Sequence, residues 1–259
     1  MTTAARVPGR LDSHWYGRDG SPQYEIIGKT TGRPRPVTIR DARENDWLPS
    51  TTTILKVLHK QALVEWLCEQ SALAVLTAPR HEGEELDAFV RRVLQEEKQQ
   101  DQEAAAARDL GTRIHLAIET ALNGFPAPND LLAYVSPAVD AILKTGAVQQ
   151  TERIVVGDRY AGKLDALTQN NGLLTVWDVK TTKSMPKHGS YDEHQLQLAS
   201  YAKALGNTDN LRIQTANIYV STSNPGEVKA DIHDDWLDTY EHGFKPLVDV
   251  WYWLNDLTW

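Results

Sequence analysis

From residue 54 the apolar positions recur at helical spacing: Ile54, Leu55, Leu58, Leu63, Trp66, Leu67, Leu73 and Leu76. Pro49-Ser50-Thr51-Thr52 precedes them as a start signal, with Ser50 or a neighbouring threonine as N-cap. Ala78-Pro79 breaks the run, and a second helical stretch is predicted from Glu84 to about Ala107. Its segment QEEKQQDQEAAAARD is very polar. The alanine run and mixed charges favour a solvated helix over disorder. Gly111-Thr112-Arg113-Ile114-His115 opens or continues a helix to about Leu122, striped by Ile114, Ala117, Ile118 and Ala121 and stopped by Asn123-Gly124. A further helix is expected over Leu131–Lys144.

Beyond residue 150 the period changes. Gly162–Gln169 and Leu173–Lys180 read as strands around Asn170-Asn171-Gly172, and Asn-Gly between such runs is the strongest local hairpin signal. With Asn171 and Gly172 as turn residues, opposed positions sum to 343, so Asp165 falls across from Asp178. Like charges at such a pair repel. A divalent cation would explain them, since Mg²⁺ is often held by one or two carboxylates plus phosphate oxygens. Lys180 shares the face of Asp178 by the strand's period of two. Acids that bind a metal beside an ammonium suit hydrolysis of a phosphodiester.

Asp192–Leu205 follows as a helix ending near Gly206-Asn207, then strands Ile213–Ser221 and Glu227–Ile232 around Asn224-Pro225-Gly226, then a closing helix from Trp236 to about Leu254. Upstream, residues 11–50 carry Gly, Pro and Asp punctuation with β-prone pieces at Tyr24–Ile27 and Val37–Ile39, which predicts a small hairpin decoration. The order of helices, three strands, helix, two strands and helix is α/β with a mixed sheet. The expected division is an N-terminal extension over 1–46 and one domain over 47–259, with a helical part at 50–146, a core at 150–232 and a C-terminal helix at 234–254.

Composition narrows the class. The 259 residues suffice for a full core, and no apolar run reaches the roughly 20 residues of a membrane span. The opening MTTAARVPGR has no signal-peptide core and reads as a frayed tail. The lone Cys68 excludes an intrachain disulfide, a four-cysteine zinc site and an iron–sulfur cluster held by this chain, and favours a reducing cytoplasm. A net charge of −8 argues against an overall basic face for nucleic acid. Any such track must be local, with Arg33, Arg35, Arg40 and Arg43 or Lys180, Lys183 and Lys187 as candidates beside the reading of scattered solvated charge.

Glu152, Gly162-x-x-Asp165, Asp178-Val179-Lys180 and Gln197-x-x-x-Tyr201, with Gly111 and His115 upstream, resemble the PD-(D/E)XK nuclease superfamily, in particular its RecB-type and phage exonuclease branch. The resemblance covers roughly 111–220, and LPSTTTILKVL followed by ALVEWL extends it to near residue 47. It implies a restriction-endonuclease-like core with a mixed central sheet flanked by helices, a helical N-terminal part and a small β decoration. It implies a Mg²⁺- or Mn²⁺-dependent DNA exonuclease of recombination, repair or phage DNA processing, in a bacterial or phage-infected cytoplasm. By position, His115, Asp165, Asp178 and the Val179 carbonyl would hold the metal. Lys180 would orient or activate the attacking water and steady charge on the scissile phosphate, and Gln197 and Tyr201 would hold the metal-site strand or the DNA backbone.

Several of these positions carry two readings. A Gly157-Asp158 turn would set Glu152 opposite Lys163, so a cross-strand ion pair competes with a metal role. For His115 a core or surface histidine competes with the ligand role, Glu119 faces solvent, supports His115 or is itself a ligand, and Gln195 replaces Gln197 if the alignment slips. Trp251-Tyr252-Trp253 with Trp236 and Trp259 suits a packed helix face or oligomer contact more than base stacking. No P-loop occurs, so an ATP motor would belong to a partner such as a helicase, and a single-strand annealing protein is another partner the resemblance implies. An endonuclease on the same chemistry and a non-cleaving DNA-binding protein are the rival functions.

Overall fold

The computed structural model describes residues 14–58, 61–100, 102–206 and 211–257. The tail MTTAARVPGR and Trp259 lie outside the described residues. The chain forms two compact units, Met1–Val57 with His115–Trp259, and Leu58–Ile114.

In the first unit, strands β1 (Trp15–Tyr16), β2 (Pro22–Gln23), β3 (Glu25–Ile27), β4 (Pro34–Pro36) and β5 (Leu48–Pro49) build two small antiparallel sheets, ordered β2-β1-β5 and β3-β4. Val37–Ile39 is not a strand: Val37 is buried between β4 and helix α1 (Ile39–Asn45), and Ile39 opens that helix. A capping box explains the change. The Thr38 hydroxyl accepts from the Asp41 amide while the Asp41 carboxylate takes the Thr38 N–H at 2.9 Å. Arg35 completes it with two bonds to Asp41 of 2.6 and 2.7 Å.

That arrangement makes an acid-limb prediction. The Arg35 guanidinium, helped by Thr38 and opposed by burial, holds the Asp41 carboxyl well below the usual carboxylate range. A depressed folded value stabilises above the unfolded pKa of about 3.9 and is lost as pH falls below it. Asp41→Asn should therefore lower stability at pH 7 by on the order of 1 kcal/mol, as for a lost cap. In melts at pH 7 and pH 3 the gap to wild type should narrow at the lower pH; a constant gap would refute the linkage.

Helix α2 (Thr51–Leu55) starts where expected, with the Ser50 hydroxyl accepting from the Thr53 amide at 3.0 Å. It ends after five residues, so the long helical run is two pieces, the second being α3 (Gln61–Thr77). The second unit holds α3, which carries the exposed Cys68, and α4 (Leu86–Gln100), with the start of α5 (Gln102–Leu122). Gly111 thus continues a helix rather than opening one, and Gly124 ends it at φ +84°.

The core of the first unit is a five-stranded sheet of β6 (Ala147–Val156), β7 (Ala161–Asn170), β8 (Leu173–Thr182), β9 (Arg212–Ser221) and β10 (Val228–His233), ordered β10-β9-β8-β7-β6. Only β8 and β9 pair in parallel within it, joined through helix α7 (Asp192–Ala204). This mixed sheet flanked by helices is consistent with a restriction-endonuclease-like fold. Central β8 (LLTVWDVKTT) is buried without a break from Leu174 to Val179, on side chains of both faces, as a strand covered on both sides requires. On one face Leu174 and Val176 pack with Leu198, Tyr201 and Ala202 of α7. On the other, Trp177 is fully buried and its indole donates to Thr145 and Thr168 at 3.1 and 3.2 Å. Thr145 follows α6 (Leu132–Leu143).

The chain closes through α8 (Trp236–Asp238), a π-type turn at Thr239–Phe244 and α9 (Lys245–Leu254). Trp251 and Tyr252 are buried, Trp251 meeting Trp15 at 6.0 Å and Tyr252 donating to the Arg159 carbonyl at 2.9 Å. These two belong to a packed helix face, while Trp253 is exposed.

Candidate active site

The β7–β8 hairpin turns on Asn171 and Gly172 at φ +46° and +77°, and its pairs from Asn170↔Leu173 to Ala166↔Trp177 all sum to 343. The ladder stops one pair before the acids. Asp165 and Asp178 are therefore not a backbone-paired couple. The strands part, and the Asp165 carboxylate instead accepts the Val179 N–H at 2.6 Å. Opposed like charges disfavour the regular pair, and a carboxylate is the stronger acceptor for that amide.

The neighbouring strand yields at the same level. The β6–β7 connection spans Gly157 to Tyr160, closed by the Gly157 N–H on the Tyr160 carbonyl at 2.8 Å, with Val156 paired to Ala161. The two-residue Gly157-Asp158 turn does not form, because buried Tyr160 anchors the loop through its hydroxyl on the Ser200 carbonyl. Lys163 consequently pairs with Ile154, and Glu152 comes level with Asp165 between the pairs Thr151↔Ala166 and Arg153↔Leu164. Glu152 sits there at φ +50°, a left-handed conformation that costs a non-glycine residue about 1–2 kcal/mol. Its carboxylate still reaches Lys163, diagonally rather than directly across. It also meets the metal-ligating types: donor atoms of His115, Glu152 and Asp165 lie within 4.8 Å of one another.

His115 reaches this cluster from α5. Its Nε2 is 3.2 Å from Asp165 Oδ2 and 3.2 Å from the Val179 carbonyl oxygen. Burial, the largest influence, pulls its pKa down, but the hydrogen bond and charge of Asp165 and the charge of Asp178 outweigh it, so the net shift is upward. Glu119, one turn on, lines the same small cleft with Ile118 and Leu122.

Asp178 and Lys180 form a second, more deeply buried group. Lys180 Nζ contacts both Asp178 oxygens, at 2.9 and 3.1 Å, and donates to Gln197 Oε1 at 2.9 Å. Gln197 in turn donates to the Tyr201 hydroxyl at 2.8 Å. Both α7 residues are buried and address Lys180, one directly and one through the other. Gln195 points elsewhere, bonding the Ser190 carbonyl at 3.0 Å. Burial and the Asp165 charge raise the Asp178 pKa against the pull of Lys180, while Lys180 is raised in turn because the two carboxylates outweigh its own burial.

Gly162 has a steric role. A Cβ there would stand 2.3 Å from the Tyr201 ring, so glycine is what lets Tyr201 lie against β7. Asn217 was not anticipated from the sequence. It is fully buried on β9, pairs with Asp178 in the parallel register and donates to its Oδ2 at 3.0 Å. No spacing motif marks an asparagine in a strand, and only the β8–β9 register brings it to the site.

A divalent ion fits the donors. Two carboxylates and a backbone carbonyl are hard oxygen ligands of the kind Mg²⁺ and Mn²⁺ take, and the imidazole adds a nitrogen donor of the kind transition-metal ions accept. His115 Nε2 would have to be unprotonated to ligate. Of the arginines considered as a phosphate track, Arg35 is spent on Asp41, Arg40 on Glu44 at 3.3 Å and Arg43 on the Asn255 carbonyl at 2.8 Å, while Arg33 is exposed.

Residues 150–245 match the family model of the PD-(D/E)XK nuclease superfamily. They include Glu152, Asp165, Asp178, Lys180, Gln197, Tyr201 and Asn217. No curated protein matches the chain. Among solved structures, one titled "Crystal structure of SSO0001" aligns over 74% of this chain and 86% of its own at 18% identity, with a TM-score of 0.36, too low to carry an argument.

Proposed function

We propose that this chain is a divalent-metal-dependent deoxyribonuclease, working as an exonuclease in recombination, repair or phage DNA processing. The observation that carries the proposal is one juxtaposition. His115, Glu152 and Asp165 converge beside the buried Asp178–Lys180–Gln197 chain, and all of these except His115 lie within the segment that matches a nuclease family.

In this reading His115, Asp165 and Glu152 hold the ion, with Asp178 and the Val179 carbonyl beside them. When bound, the ion supplies Lewis acidity toward the scissile phosphate and acidifies water. The chain's own part is positional. Lys180 holds the Asp178 carboxylate and the Gln197 amide oxygen, and its ammonium would steady charge on the attacking water or a phosphate oxygen beside them. Tyr201 fixes the Gln197 amide so that its oxygen faces Lys180. Asn217 fixes the Asp178 carboxylate from the next strand. Lys180 is a held cation rather than a general base, because its carboxylate partner favours the charged form. No helix among the described residues is long and apolar enough to cross a membrane.

End-labelled linear DNA, single- and double-stranded, should be shortened from its ends in Mg²⁺ or Mn²⁺ and left intact in EDTA. Covalently closed circles should survive. Cutting of closed circles would make the enzyme an endonuclease, and binding without cleavage of any substrate would make it a DNA-binding protein on a nuclease fold.

A further inference from the structure

The segment between β8 and α7 has features that the hydrolytic site does not use. Tyr191 occupies the N-cap position of α7, where Ser, Thr, Asp or Asn normally satisfies the first helical amides, yet its side chain makes no capping bond. It is not buried for packing either, being 54% exposed. Two near-perpendicular ring contacts nevertheless fix it, to His194 at 5.4 Å and 86° and to Tyr219 at 6.5 Å and 79°. His194 is held in turn by the Tyr219 hydroxyl, 2.9 Å from its Nδ1.

This aromatic group stands next to the chemistry. Tyr219 pairs with Lys180 in the parallel register, so the two side chains share one face of the sheet. His194 and Gln197 lie three residues apart on α7 and share its inner side. The preceding loop adds the exposed cations Lys183 and Lys187. It is also tied down: the Ser190 amide donates to Asp231, the Lys229 ammonium donates to the Pro186 carbonyl at 2.8 Å, and His233 Nε2 meets the Ser190 hydroxyl at 3.2 Å. A fixed, exposed aromatic ring beside displayed cations is the combination that binds unpaired nucleic acid, with cations tracking the backbone and the ring stacking on a base.

We infer that the loop at 183–191 is a binding track for a single-stranded segment of DNA, with Tyr191 stacking on a nucleobase close to the bond that is cut. The inference rests on the nuclease reading and adds to it the substrate's state at the site. Bases inside a duplex have both faces covered by their neighbours, so only an unpaired nucleotide offers Tyr191 a free face. Lys183 and Lys187 contact the phosphates on that strand.

The test uses the full-length chain and single-stranded oligonucleotides carrying 2-aminopurine at successive positions from one end, in EDTA so that binding is read without cleavage. Wild type should quench the fluorophore at one position. Tyr191→Ala should abolish that quenching and weaken binding roughly tenfold, the size of one lost base–aromatic stack. Tyr191→Phe should retain both, and its retention separates stacking from a folding defect. In Mg²⁺ the Ala variant should raise KM with kcat little changed. Equal quenching and affinity in wild type and Tyr191→Ala would overturn the stacking. So would a blunt duplex bound as tightly and with the same Tyr191 dependence. Normal cleavage by wild type together with an unaffected Tyr191→Ala sinks this inference alone; no cleavage of any DNA by wild type sinks the nuclease reading first and this one with it.

Discussion

Asp178→Ala and Lys180→Ala should each abolish cleavage in Mg²⁺, by roughly 10³-fold or more, since removing one preorganised charge-stabilising group alone costs about 10²–10³. The two residues act as a unit. Asp178 is buried, and Lys180 is both its partner and the group turned toward the site. Truncating one side leaves the other charge buried, which costs about 3–5 kcal/mol when it stays ionised. Asp178→Asn and Lys180→Gln therefore accompany the alanine variants, because they keep the volume and most of the hydrogen bonds to Asn217 and Gln197. Single-turnover cleavage of linear DNA, beside circular dichroism melts of each variant, separates lost chemistry from lost fold. A folded Asp178→Asn or Lys180→Gln protein that cleaves at the wild-type rate would end the assignment.

Gly162→Ala should damage both stability and activity despite adding a single methyl. The new Cβ would lie 2.3 Å from one Tyr201 ring carbon, 3.0 Å from another and 3.1 Å from the Thr51 hydroxyl. Tyr201 cannot retreat easily: its ring is packed with Leu164, Leu198 and Ala202, and its hydroxyl holds Gln197. Overpacking of this kind costs about 1–3 kcal/mol. Because the displaced ring carries Gln197, and Gln197 carries Lys180, cleavage should fall together with the melting temperature. Restoring room with Tyr201→Leu in the Gly162→Ala background should recover stability but not activity. A single variant that melts and cleaves like wild type would show that Tyr201 has freedom the packing does not suggest.

The parts of this site that were legible in sequence are those written in local chemistry. Asn171-Gly172 dictates the hairpin, the hairpin dictates the register up to Ala166↔Trp177, and the helical spacing of Gln197 and Tyr201 puts both on one side of α7. What was not legible depends on partners distant in the chain. The position of Glu152 turned on loop length, and the loop is four residues because Tyr160 is buried and bonded to Ser200, 40 residues away. Asn217 needed the parallel pairing of β8 with β9. The splaying of Asp165 from Asp178 came from repulsion that the count of 343 ignores. Helix α1 is a different kind of miss: the Thr38-x-x-Asp41 box was present in the sequence, and the β-branched run Val37–Ile39 masked it.

Strand β6 borders the described sheet, and such a border offers free amides and carbonyls to any other extended chain. Here that border is irregular. The register slips between Val148 and Gln150, and Glu152 turns left-handed two residues later. A strand with two such interruptions is a poor template for edge-to-edge growth. The distortion that brings Glu152 to Asp165 therefore has a second consequence, in colloidal behaviour: it guards the concentrated protein against polymerising through its own sheet.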